Sequence, residues 1–129
     1  MKKIDFKKLG IEFLIVFAVI LIFTIIDFFT HLLKAEYAVP SYYFRNKVIF
    51  GTIIGFITYM FAKKKKLLAK ALIFSGAVSV LLQIRYAIEG YSWDFVLEFL
   101  AFHFLMLVAA SLIVFSITKK IIKTEERLK

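Results

Sequence analysis

The sequence predicts an all-α integral membrane protein, a four-transmembrane-helix bundle with both termini in the cytoplasm. Three observations predict it. Of the 129 residues, 62% are hydrophobic, and the mean hydropathy is +0.87. The apolar residues form four runs, each near the 20 or so needed to cross roughly 30 Å of hydrocarbon. The basic residues fall on alternate connections between those runs.

Composition excludes the soluble alternative. Soluble domains are about 45–50% apolar, and a small domain has too little interior to hide this much Phe, Ile and Leu from water. The formal charge of +9 does not point to nucleic acid, because the lysines flank apolar runs and form no groove-reading element. Anionic lipid headgroups are their natural counterions. The chain has no cysteine, which removes disulfides, thiolate zinc sites and iron–sulfur ligation.

The single predicted domain covers residues 1–129, with spans at about 10–33, 44–62, 67–88 and 94–118. The first follows Met1-Lys2-Lys3, which resembles the basic start of a secretory signal. Its apolar stretch is too long for one and lacks a small-residue cleavage site. Pro40 lies in the first connection and stops the helix from continuing. The lysine run 63–66 closes the second span, and Lys70 near the start of the third reaches back to the interface. A short turn with Gly90, Tyr91 and Trp93 leads into the fourth, and a charged tail ends the chain.

Orientation follows from charge. Of the 18 basic residues, 14 lie at the termini or around the second connection, and the other 4 are Lys34, Arg45, Lys47 and Arg85. The positive-inside bias places both termini and the lysine run in the cytoplasm. Tyr37, Tyr42, Tyr43, Tyr86, Tyr91 and Trp93 then form an aromatic belt at the outer interface.

Ionisable side chains within a span cost on the order of 2.5–3.5 kcal/mol each, so they face protein or water and mark function. Here the outer half holds Asp27, His31, Gln83, Arg85, Glu98 and His103, the candidate ligand-binding set. On the first span Thr24, Asp27, His31 and Lys34 share one face by their spacing. Counting helical rise from the outer ends, Asp27 and His103 sit at about 12–15 Å and His31 and Glu98 at about 6–8 Å. Two carboxylate–imidazole pairs between the first and fourth spans are therefore expected, and Asp27, His31, Glu98 and His103 are candidate metal ligands. A haem between His31 and His103 fits poorly, since their depths differ by roughly 9 Å.

Ala71, Ser75, Ser79 and Gln83 form a small-residue strip on the third span, and Gly51-x-x-x-Gly55 is a helix-packing signal on the second. Arg85 and Glu89 form a surface pair. No HExxH, phosphate-gripping glycine loop or activated serine is present. Whether a cofactor binds stays open, and so does whether the chain is an enzyme, leaning against. The leading expectation is a pocket open to the outside, between the first, third and fourth spans, that binds or transports a small ligand or ion. The alternatives are an accessory subunit of a larger membrane complex and a membrane enzyme acting on a lipid-linked substrate. The partners implied are membrane lipids and either further copies of the chain or a partner membrane protein.

Overall fold

The computed structural model describes residues 3–128. Four helices, α1 (Phe6–His31), α2 (Tyr42–Ala62), α3 (Leu67–Ile88) and α4 (Trp93–Leu128), follow one another, and the described residues contain no strand. Each packs beside its sequence neighbour, and α1 also packs on α4, so the four close into a ring.

Local signals set the helix ends. The Asp5 side chain accepts a hydrogen bond from the Lys8 backbone N–H at 3.1 Å and caps α1. After His31 the chain turns through a 3₁₀ turn, Ala35–Tyr37, and Pro40 delays helix until Tyr42. Gly90, at φ +88°, makes the left-handed turn between α3 and α4 that a side chain would resist. The Ser92 hydroxyl then accepts the Phe95 backbone N–H at 3.3 Å to start α4.

Three helices, α1, α3 and α4, are long and apolar enough to cross a membrane. Helix α2 is the exception, because Arg45, Asn46 and Lys47 occupy its first two turns and leave too short an apolar run. Expected at 44–62, this helix starts slightly earlier, at Tyr42, and holds Lys47 in its second turn. Helix α4 runs well past residue 118, carrying the charged tail as one continuous helix.

The interior has two parts. Val16, Val19, Ile20 and Phe23 of α1 meet Phe74 and Val78 of α3 and Leu107 and Phe115 of α4 in the larger. Tyr37, Tyr43, Tyr86, Phe95 and Phe99 form the smaller, at the end where α1 meets α2. Three residues expected in an interfacial belt, Tyr37, Tyr43 and Tyr86, are therefore core, while Trp93 stays exposed. Their rings are held by each other: Tyr86 packs edge-on against Tyr91 and Phe95. Outward faces carry Leu14, Ile25, Phe29, Ile53, Ile57, Leu97, Leu105 and Ile113 in the open. Continuous apolar surface of this extent is foreign to soluble monomers and matches hydrocarbon.

The glycines of α2 explain how tightly that helix sits. A Cβ at Gly55 would come within 3.0 Å of the Phe74 ring and 3.1 Å of Val16, and one at Gly51 within 3.3 Å of Ile20. The Gly51–Gly55 face is thus filled by α1 and α3 of the same chain. On α3, Ala71, Ser75, Ser79 and Gln83 are all buried, and the Ser75 hydroxyl lies 3.4 Å from that of Ser111 on α4. Small side chains let these two helices approach closely.

Candidate functional site: a buried charge cluster beside a groove

Asp27 is fully buried, one turn before the end of α1. A carboxylate there requires partners, because isolated buried charge costs several kcal/mol. Two donors reach it, from α4 and α2, and a third polar group lies beside them. His103 of α4 places Nε2 at 2.9 Å from Asp27 Oδ1. The ammonium group of Lys47, on α2, donates to Asp27 Oδ2. His31, one turn along α1, brings its Nε2 to 3.3 Å from the same oxygen.

The partners of each group assign the hydrogens. His31 Nδ1 lies 2.6 Å from the Tyr37 backbone carbonyl, an acceptor, so Nδ1 carries the hydrogen. His31 Nε2 is then an acceptor, and Lys47 Nζ stands 3.2 Å away to donate. His103 Nε2 faces a carboxylate oxygen and so donates to it, which leaves Nδ1 without a partner among the described residues. Lys47 thus donates to Asp27 and to His31 while lying over the rings of Phe44 and Tyr86, at 5.3 and 5.4 Å. One cation and one anion are enclosed together.

Aromatic packing fixes the imidazoles. His31 stacks on Phe99 with centroids 4.4 Å apart and planes at 4°, and Phe23 meets His103 edge-on at 5.2 Å. These rings hold the cluster in one geometry and exclude water.

Not every candidate joins this cluster. His31 and Glu98, expected to pair, are linked only through Tyr37. The Tyr37 carbonyl accepts from His31, and its hydroxyl donates to the exposed Glu98 carboxylate. That hydrogen bond holds the Tyr37 hydroxyl above its ordinary phenol pKa. Gln83 donates through Nε2 to the Val96 carbonyl at 2.6 Å and ties α3 to the start of α4, with its Oε1 unpaired among the described residues. Arg85 donates to Glu89 at 3.1 Å on the surface and covers the Tyr43 ring at 5.4 Å.

Asp27, His31 and His103 each offer one ligand atom, all within 4.8 Å of one another, a donor set of the zinc type. Glu98 lies outside that set. The ammonium group of Lys47 already stands between Asp27 and His31 and supplies the positive charge. The donor identities fit a metal, and the lysine competes for its place.

A groove of about 390 Å³ opens beside the cluster, walled by Tyr43, Asn46, Lys47, Phe50 and Ile54 of α2 and by Leu81, Leu82, Arg85 and Tyr86 of α3. It lies between α2 and α3, not between the first, third and fourth helices as the polar residues alone suggested. Lys47 is the residue common to groove and cluster. Most of the wall is apolar, and the hydroxyl of Tyr86 is buried without a hydrogen-bond partner among the described residues. Sequence reasoning missed Lys47 because a lysine near the start of a span reads as an anchor at the interface. Depth could have found it. Lys47 stands about 7.5 Å from the start of α2 and Asp27 about 6 Å from the end of the antiparallel α1, the same level.

No protein-family model matches the chain, and neither a curated protein nor a solved structure matches it. The functional reading therefore rests on the geometry alone.

Proposed function

We propose that this chain is a multi-pass protein of the cell membrane that binds an amphiphile with an anionic group in the groove between α2 and α3. In this reading all four helices span as one bundle. The lysine-rich end and both termini are cytoplasmic, and the Asp27 cluster lies in the outer half. Helix α2, too polar to cross alone, crosses because Asp27 neutralises Lys47 inside the protein.

The observation that carries the reading is the double membership of Lys47, which lines the groove and holds Asp27. A buried ion pair is weak support for a purely stabilising role, since apolar residues of similar volume serve stability as well or better. A cation in a mostly apolar wall, with Arg85 at the same groove, suits a ligand with a hydrocarbon body and a carboxylate or phosphate.

Lys47 also couples the two. When a ligand anion takes up the ammonium group, Asp27 loses its counter-ion in a medium of low dielectric, and a proton from water neutralises it. Ligand binding is thereby linked to proton uptake, the elementary step of proton-coupled binding or transport.

The experiment is lauric acid binding to the protein in lipid nanodiscs, with lauryl alcohol as the uncharged control. The acid is expected to bind and the alcohol to bind far more weakly. Lys47→Met is expected to reduce acid binding by about 10- to 100-fold, the worth of a hydrogen bond to a charged group. Equal binding of acid and alcohol would refute the reading.

A further inference from the structure

At the end opposite Lys47, where α2 passes into α3, all four helices surround a second depression of about 230 Å³. Ile15 of α1, Tyr59 of α2 and Phe115 of α4 form its floor. Lys63 after α2, Lys70 of α3, and Lys119 and Lys123 one turn apart on α4 surround it.

Charge is not balanced here. Glu12 accepts from Lys63 at 3.3 Å through both carboxylate oxygens. Lys70, Lys119 and Lys123 have no acidic partner within 4.0 Å among the described residues. Lys70 does not extend into solvent. Its ammonium group stands 5.7 Å from the Tyr59 ring centroid and 5.0 Å from that of Phe115, held over the floor by cation–π attraction. Ammonium groups gathered from α3 and α4 repel one another unless an anion sits among them.

We propose that this depression binds a phosphomonoester, whether on a lipid headgroup or on a soluble molecule. A phosphomonoester carries about −1.5 to −2 charges and three acceptor oxygens, which matches three uncompensated ammonium donors. Basic pockets between membrane helices on the lysine-rich side are the setting in which such headgroups bind. A zwitterionic phosphodiester brings one negative charge with its own cation and matches poorly. The site shares no residue with the α2–α3 groove and does not depend on what that groove binds.

Native mass spectrometry of the full chain in detergent tests it, using phosphatidic acid against phosphatidylcholine. One phosphatidic acid per chain is expected in preference to phosphatidylcholine. Lys119 and Lys123 are exposed, so K119Q/K123Q does not threaten folding, and it is expected to weaken binding by about 30-fold. Lys64 and Lys65 are also exposed but outside the depression, and K64Q/K65Q is expected to leave binding unchanged. Displacement by excess glycerol 3-phosphate assigns the site to soluble esters, and retention assigns it to the lipid. Equal losses in the two double variants, or no preference for phosphatidic acid, would overturn the proposal in favour of diffuse surface attraction.

Discussion

Lys47 and Asp27 form an ion pair between α2 and α1, in which both side chains are almost wholly enclosed. The pair draws in His31 and His103 and sets the geometry of the polar interior. It also accounts for the least apolar helix. Helix α2 carries its charge inward against α1 and its glycines against α1 and α3.

Removing one charge should be worse than removing both. Asp27→Asn leaves an unpaired buried ammonium group, and Lys47→Met leaves a carboxylate with imidazoles alone. Each is expected to lose about 3–5 kcal/mol. Thermal unfolding in detergent should show the double variant to be more stable than either single one. Additive losses would mean that the two groups do not act as a pair.

Lys47→Ala should expose the donor set of Asp27, His31 and His103 to metal. Equilibrium dialysis against zinc is expected to show about one ion bound per chain in this variant, and none once His103→Leu is added. Binding unaffected by His103→Leu would place any zinc elsewhere.

The glycines should respond in order of the space around them. Gly55→Ala drives a methyl group against the Phe74 ring and Val16, and is expected to cost about 1–3 kcal/mol as overpacking. Gly51→Ala, with Ile20 at 3.3 Å, should be milder. Gly76 has nothing within 4 Å of its missing Cβ and lies within α3, so Gly76→Ala is expected to stabilise by about 0.5–1 kcal/mol. Thermal melts of the three variants give the order directly.

The Tyr37–Glu98 contact predicts a pH dependence. The neutral phenol is the form that donates to Glu98, so its pKa is raised in the folded chain. Its contribution is complete below the ordinary phenol value of about 10 and is lost as pH climbs through the raised value. In a spectrophotometric tyrosine titration, the wild-type minus Tyr37→Phe difference should therefore contain one group titrating above that value. A difference curve at the ordinary phenol pKa would contradict the contact.

The sequence made the helices readable because outward-facing residues such as Leu14 and Ile53 are apolar like the buried ones, which leaves long unbroken apolar runs. It also carried the close approach of α2, since only glycine at position 55 fits beneath the Phe74 ring. Three of the four cluster residues were visible, because a carboxylate or imidazole within an apolar run is conspicuous. Lys47 was not, since a lysine near a helix end reads as an interface anchor until its partner's depth is known. The separation of Glu98 from His31 was equally hidden. It depends on how the turn at Tyr37 folds between them, and residue spacing along two helices carries no information about a loop.

The most direct test counts protons. Titration calorimetry of lauric acid binding in buffers of different ionisation enthalpy yields the protons taken up per ligand bound. At a pH where the acid is fully ionised, about one is predicted for the wild type and none for Asp27→Asn, because Asp27 is the group released when Lys47 turns to the ligand. No proton uptake by the wild type, or equal uptake by both proteins, would contradict the coupling of groove and cluster through Lys47.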